Sequence, residues 1–587
     1  MAEYFSPGVY VEEFEIGAKP IEGVSTSTAG FIGFAERGPL NIPALVTSFA
    51  DYQRIFGGYL PEIAGGRSIG DARWLAYAVE AFFNNGGQRV YVTRVAELDA
   101  TKPDYARCAT GFLLDVTGNP AISVSAVNEG IWGNEIGIIV KPGSLFVANL
   151  TEEGGKDSTF IKVNSITGLK KGSVIQFLGG SATFIVNDIL PSEKKIILKT
   201  PLTQLVPKDT RVSSVEFDLR IRRSDVDEFF NSLSLNPDHS RYIEKIVTDS
   251  SSYLIKIAVL SPSPDTVLMN TENNSLGWLQ TKGTDGIPST DIGTVVIGAD
   301  DSEPSKRTGI YALKNINEIS VVAIPGITTH AVQEKLIAHC ESMKNRCAIL
   351  DPEPGADIQG IQVQRNMYDS KYAALYYPWI QMYEPLSGSP INMPPSGAVA
   401  GMYARSDNER GVHKAPANEK INGALGLEKL AGGGSRIIAK GQQDILNPKG
   451  INCIRSFPGS GIRVWGARTL SGDPVWNYIN VRRLFIFVEE SIRENTRWVV
   501  FEPNNEKLWE KLKSTLTEFL TRVWRDGALV GTKPEQAFFV KCDRTTMTQD
   551  DIDHGRVICV IGIAPAKSAE FVTFRITQWQ DGSVVTE

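Results

Sequence analysis

Residues 318–350 read EISVVAIPGITTHAVQEKLIAHCESMKNRCAIL. Residues 318–323 are β-prone and end at Pro325-Gly326, a turn signal. From 329 to 345 the apolar residues Val332, Leu336, Ile337, Cys340 and Met343 recur at helical spacing and share one face. Residues 346–350 are again an apolar run of strand length. Strand, amphipathic helix and strand in 33 residues set an α/β reading for this part of the chain.

Working outward, the same texture occurs near the start. Residues 29–35 form a short buried strand, followed by an Arg37-Gly38-Pro39 turn. Leu75, Val79, Phe82 and Phe83 put a helix over 71–83, stopped by Asn84-Asn85-Gly86-Gly87, and 88–95 is a strand. Between about 101 and 300 the pattern changes to short strands separated by Gly, Lys and Asp turns, as at 159–163, 173–177 and 195–199. Strands at 215–221 and 253–259 flank an irregular polar stretch, and 261–289 is a loop or linker; the block reads as an insertion. Residues 388–460, rich in Gly, Pro and Asn, read as a structured connection rather than a core. The two best helices, 478–495 and 505–525, follow, the second closed by Gly527. Strands are expected at 536–541, 556–564 and 570–579; the middle one is apolar on both faces and so central in its sheet. Residues 8–15 are β-prone without a clean face of their own and read as an extended arm.

The fold class is therefore multidomain α/β and α+β: a mixed α/β core, a β-rich inserted domain and terminal β-strand arms. The divisions are an arm at 1–22, an α/β domain of 23–100 plus 301–460, an outer insertion at 101–300, an α+β domain at 461–565 and a strand arm at 566–587.

The 587 residues carry 60 Lys+Arg against 67 Asp+Glu, a net charge of −7, with no dense basic run, which argues against nucleic-acid binding. Apolar content of 42% and charged content of 22% exclude disordered, collagenous and coiled-coil chains. The six Cys are scattered, which argues against a disulfide framework and for folding in a reducing compartment. The N-terminus lacks a basic region and an apolar stretch of the export type, and no run reaches the length of a membrane helix. The sequons at Asn149 and Asn273 carry little weight.

Reactive constellations are scarce. The Gly432-Gly433-Gly434-Ser435-Arg436 cluster lacks the Lys and strand-to-helix setting of a phosphate loop. His339, Cys340 and Cys347 read as buried structural residues. Asp550, Asp551, Asp553 and His554 read as a capped turn, and His413 has no nucleophile signature beside it. No catalytic, cofactor or metal residues are nominated. The 505–525 helix is sharper: Leu508, Leu512, Leu516, Phe519, Leu520 and Val523 form its buried stripe. Lys507, Lys511, Lys513, Arg522 and Arg525 lie outside that stripe, either as a solvated face or as a weakly basic strip for an acidic partner.

Several stretches resemble contractile phage tail sheath proteins. They are Ser6-Pro7-Gly8-Val9-Tyr10-Val11-Glu12-Glu13, Gly23-Val24-Ser25-Thr26-Ser27, Ala29-Gly30-Phe31-Ile32-Gly33 and Arg37-Gly38-Pro39. Val46-Thr47-Ser48-Phe49, Asp51-Tyr52, Phe56-Gly57-Gly58 and Phe82-Phe83-Asn84-Asn85-Gly86-Gly87 continue the likeness. So do Pro394-Pro395-Ser396-Gly397, Ala404-Arg405-Ser406-Asp407, Arg410-Gly411, Lys414-Ala415-Pro416-Ala417 and Val464-Trp465-Gly466-Ala467-Arg468-Thr469-Leu470. The resemblance covers about 1–100 and 305–587, and its number, order and spacing of motifs make it specific.

The resemblance implies a structural subunit, not an enzyme, with no cofactor. Such subunits form hexameric rings stacked helically around an inner tube protein, and contraction drives the tube through a target envelope. Implied partners are further copies of the chain, the tube, and baseplate and tail-terminator or cap proteins; nucleic acid and direct membrane insertion are not. The implied setting is assembly in the bacterial cytoplasm into a phage tail, an R-type bacteriocin or an injection system, with release from the cell as one option. A single chain argues against the type VI machinery, whose sheath is split over two polypeptides. A β-rich, surface-layer-like assembly is the alternative. The resemblance also implies arms that add strands to neighbours' sheets, placing Val9, Tyr10, Val11, Phe14, Val572, Phe574 and Ile576 at subunit junctions and the basic strip against the tube. The turn Pro565-Ala566-Lys567-Ser568 leaves a second option for the last strand, an intramolecular hairpin.

Overall fold

A computed structural model of the chain describes residues 21–571 and 573, apart from 65–66, 225, 249, 261–262, 272–280, 431 and 433. Its centre is a nine-stranded sheet. Six strands run parallel in the order Val90–Arg94, Ala29–Gly33, Val321–Ala323, Cys347–Leu350, Ala373–Tyr377 and Ile451–Phe457. Antiparallel Ala44–Val46 closes one edge, and Gly461–Val464 with Glu419–Lys420 closes the other.

Successive residues of these strands feed two different cores. Phe31, Val92, Ala323, Ile349 and Tyr376 belong to one, while Ile32, Val322, Leu350, Leu375 and Cys453 belong to the other. Both faces are covered, which is why the strands read as continuous apolar runs rather than as alternating ones. The expected helix is His330–Met343, whose Val332, Leu336, Ile337 and Cys340 pack into the second core.

The opposite face is covered by the helices Trp74–Asn84 and Ser396–Arg410. The second helix corrects the reading of 388–460 as a connection. It is buried along most of its length, and the central strand Ile451–Phe457 lies in the same stretch. Small residues allow the burial: a Cβ on Gly397 would lie 2.4 Å from the Ala78 carbonyl oxygen, and one on Gly401 2.2 Å from that of Phe82. The carboxylate of fully buried Asp351 accepts from Ser396 N (2.8 Å), Ser396 Oγ (2.7 Å) and Gly326 N (3.0 Å), satisfying donors at the helix start. Burial pushes its carboxyl up to about 6.

The β-rich block comprises two units. The three-stranded sheets Val226–Leu233/Glu216–Arg223/Gly137–Gly143 and Ile255–Val259/Pro120–Ala126/Thr110–Leu114 share one core, so they form a sandwich. The strand Val226–Leu233 lies within the stretch expected to be irregular; it alternates half-buried and exposed positions beside Glu216–Arg223. Nested at the tip of the Gly137–Gly143/Glu216–Arg223 pair is a six-stranded antiparallel sheet with its own core of Phe146, Ile161, Ile175, Val186, Ile196 and Val212. Its outer strands Val147–Asn149 and Phe160–Lys162 are joined by Asn164 N to Asn149 O (3.0 Å) and Thr151 N to Lys162 O (3.0 Å), closing a barrel without free edges.

The Arg37-Gly38-Pro39 turn couples block to core. Gly38 N donates to Asn128 Oδ1 (3.0 Å), Arg94 Nη1 donates to the Gly38 carbonyl (2.9 Å), and Arg223 pairs with Glu36 and with Glu135. Gly38 has φ +104, and a Cβ there would lie 2.7 Å from the Phe56 ring, so glycine is required.

Candidate assembly surface of the C-terminal domain

The third body is built from the helices Ile479–Asn495 and Glu506–Arg525 over the antiparallel pair Phe538–Lys541/Val560–Ile563. The amphipathic stripe expected for the second helix is buried as read, with Leu508, Leu512, Leu516, Phe519, Leu520 and Val523 in one cluster. Phe538, Val540 and Cys542 face this cluster, whereas Phe539 (49% exposed) and Val560 (43%) leave the outer face partly apolar.

The strand Val560–Ile563 corrects the expectation of a central position. Among the described residues it pairs with Phe538–Lys541 alone, and its residues are exposed or half-buried. The apolar character on both faces that suggested a central strand therefore lies at an open edge. Its continuation is covered instead, by Val530 N to Ala564 O (2.8 Å) and Ala566 N to Ala528 O (3.0 Å).

No turn forms at 565–568, and the strand it would have returned lies outside the described residues apart from Glu570, Phe571 and Thr573. The chain runs on in extended conformation: Asn480 Nδ2 donates to Ala566 O (3.2 Å), Ser568 Oγ to Asn480 Oδ1 (3.0 Å) and Arg468 Nε to Glu570 Oε1 (3.0 Å). Residues 566–571 wall a groove of about 820 Å³ with His413, Lys414, Arg455 and Trp465.

The other end of the described chain meets the same domain. Ile21 is buried in the helical cluster, and its carbonyl accepts from Arg522 Nη2 (2.6 Å). Asn495 Nδ2 donates to Glu22 O (3.0 Å), and Val24 N to Ser491 Oγ (3.1 Å). Val9, Tyr10, Val11 and Phe14, and Val572, Phe574 and Ile576, lie outside the described residues. The attachment points of both flanking segments, Ile21 and Glu570, thus sit on the C-terminal domain and its joint.

That joint is a buried ion pair. Asp407 and Arg483 side chains are each 3% exposed, with Arg483 Nη1 to Asp407 Oδ1 at 2.9 Å. Thr26 Oγ1 donates to Asp407 Oδ2 (2.6 Å), Arg483 Nη2 donates to Thr26 O (3.0 Å), and the guanidinium lies 4.7 Å from the Tyr403 ring centroid. Burial alone lowers the Arg483 pKa, but the Asp407 carboxylate outweighs it and holds the group above its ordinary value. In the sequence Thr26 and Asp407 are letters of the family-like motifs, and Arg483, on a helical face, carries no signal of its own.

The five cations of the Glu506–Arg525 helix are all exposed, yet they do not form one strip. At ~100° per residue, Lys507, Lys511, Arg522 and Arg525 fall within ~60° of one another, while Lys513 lies on the opposite flank. Lys513 sits instead in the field of Asp543 and Cys542. Lys511 Nζ is 4.6 Å from the Trp498 ring centroid.

Elsewhere, His339 Nε2 lies 3.3 Å from Arg346 Nη1 inside the core, and Cys340 and Cys347 are buried beside it. His554 and Asp550 belong to a short capped helix, Gln549–Asp553. Among the described residues no three His, Cys, Asp or Glu groups converge as for a metal ion, and no helix is long and apolar enough to cross a membrane.

Two family models match this geometry consecutively: the phage tail sheath protein central domain over 308–470 and the phage tail sheath C-terminal domain over 471–578. Residues 308–578 carry the central and C-terminal domains of the phage tail sheath family. The model boundary at 470/471 falls after the strand Gly461–Val464, which is hydrogen-bonded into the central sheet. The tail sheath protein of Burkholderia phage BcepMu is 32% identical over 164 residues, 27% of this chain and 34% of that protein. The match therefore spans only about a third of that relative's length. Two solved structures share the fold. The sheath tail protein of Listeria innocua aligns at TM-score 0.54 with 12% identity, covering 93% of this chain and 97% of that one. The anti-feeding prophage baseplate structure contains a chain aligning at TM-score 0.51 with 21% identity, covering 98% and 100%.

Proposed function

We propose that this chain is the structural subunit of a contractile sheath, stacked as hexameric rings around an inner tube and linked by strand exchange. The observation that carries the reading is the two-stranded sheet Phe538–Lys541/Val560–Ile563, unpaired at its outer edges among the described residues, in the domain that anchors both flanking segments. A two-stranded sheet is marginal alone, and added strands satisfy its free backbone groups. Residues 8–15 and 572–577 are the β-prone candidates to supply them. Each added ladder bond contributes a net ~0.5–1.5 kcal/mol, so several tether subunits while leaving rigid-body contacts free to change.

The basic flank Lys507, Lys511, Arg522 and Arg525 then faces the tube. The surroundings follow the same logic: assembly in the bacterial cytoplasm, with baseplate and terminator proteins at the ends, in a phage tail or phage-tail-like particle. Nothing observed favours the surface-layer alternative.

Ile561→Pro tests the exchange. In this register the N–H of Ile561 points away from Phe538–Lys541, because Ala564 N to Ala537 O (2.8 Å) sets the alternation of the ladder. Proline there removes a donor from the open edge only. The expected result is a folded, soluble monomer that forms no tubes by negative-stain microscopy, the same outcome as deletion of 1–18. Normal tubes from both variants would refute the exchange.

A further inference from the structure

The sheet that anchors the proposed assembly also brings together two cysteines that lie 17 positions apart in sequence. The register ends at Lys541 opposite Val560, so Cys542 and Cys559 oppose each other one step beyond. Ala564 N donates to Ala537 O, which makes 537/564 a hydrogen-bonded pair and, by alternation, 539/562 and 541/560 as well. Cys542/Cys559 is then a pair of the other kind, in which facing Cα atoms lie ~4.5 Å apart and side chains are closest. That spacing falls at the near end of the range a disulfide spans, roughly 4.4–6.8 Å. Both side chains join the helical cluster, Cys542 buried and Cys559 half-buried, and each thiol lies close enough to shift the other's titration.

We propose that Cys542 and Cys559 form a thiol-exchange site that takes a low-molecular-weight disulfide of the glutathione class and closes into a cross-strand disulfide. Accessible Cys559 loses its proton to solvent, and its sulfur attacks one sulfur of the small disulfide. The S–S bond breaks and one small thiolate leaves, taking up a proton. Cys542, deprotonated in turn, attacks the Cys559 sulfur of the mixed disulfide and expels the second small thiol. Two protein thiols are oxidised and one small disulfide is reduced to two thiols, so atoms and electrons balance.

Burial pushes the Cys559 thiol up to about 12 and raises that of Cys542, where nearby Lys513 opposes the shift. Exchange is consequently slow near neutrality and faster in base. A reducing compartment keeps the pair open; an oxidising one closes it.

The test uses the full chain incubated with oxidised glutathione at pH 7 and pH 9, alkylated, digested and analysed by mass spectrometry. The expected product is a 542–559 linked peptide, two hydrogens lighter, formed roughly 100-fold faster at the higher pH and reversed by dithiothreitol. Cys542→Ser should stop at a glutathione adduct on Cys559. A stable adduct on Cys559 of the unsubstituted chain, no reaction at either pH, or linkage of either residue to Cys108 would overturn the proposal. Because the main readout needs no variant, misfolding of the serine protein leaves it decisive.

Discussion

Breaking the Asp407–Arg483 pair should release the C-terminal domain from the α/β core. Each side chain is 3% exposed, and between them they also hold Thr26 through its hydroxyl and its carbonyl. Arg483→Met leaves a carboxylate buried without its counter-charge. Removing one partner of such a pair costs about 3–5 kcal/mol, because the survivor keeps its desolvation penalty and loses its compensation. Asp407→Leu strands the guanidinium and should cost a similar amount, with the Tyr403 ring 4.7 Å away offering only weak relief. The double variant buries no charge and should recover most of the loss. For a domain near 100 residues, 3 kcal/mol corresponds to roughly 12 °C or more in melting temperature. The assay is differential scanning calorimetry with hydrogen exchange over residues 21–28 and 479–495, because a chain of several bodies has no single unfolding free energy. Both single variants should lower the C-terminal transition and expose 21–28 together, and the double variant should restore both. Single variants within about 1 kcal/mol of the parent, or a double variant equal to the sum of the two, would refute the reasoning.

Burial, aided by Arg346, holds the His339 imidazole down at about 3, so below pH 6.5 the unfolded chain takes up a proton that the folded chain refuses. Stability should fall by ~1.4 kcal/mol per pH unit from 6.5 towards 3, and His339→Gln should flatten that fall in urea titrations; equal slopes would contradict it. Replacing 144–215 by Asn-Gly, which bridges the Gly143–Glu216 pair at the tip of its strand pair, should remove the barrel and leave a folded, assembling protein. Loss of the α/β transition in that deletion would show that the barrel is structural. Charge reversal at Lys507 and Arg525 should leave the monomer's melting temperature unchanged but weaken the hold on an acidic tube by ~0.2–1 kcal/mol per contact and subunit, more so at low salt. Salt-independent, unchanged co-sedimentation with the tube would mark these groups as merely solvated.

Where one face of an element is buried, the sequence alone determined its nature. The 318–350 unit and the stripe of the Glu506–Arg525 helix were legible because a half-buried helix must repeat its apolar residues every three or four positions. The order of the family motifs was legible too, and with it the sheath fold. Elements buried all round, or built by distant partners, were not. The Ser396–Arg410 helix is buried all round over 396–404, largely by small residues, so that part has no apolar stripe to detect. The Val226–Leu233 strand carries charges because one of its faces meets solvent. Whether Val560–Ile563 is central or an edge depends on which strands lie beside it, and its composition is the same in either case. Closure of the barrel, the Asp407–Arg483 joint and the Cys542–Cys559 pair join residues whose separation in the chain encodes no distance. Register and packing, which are properties of the whole fold, set those distances.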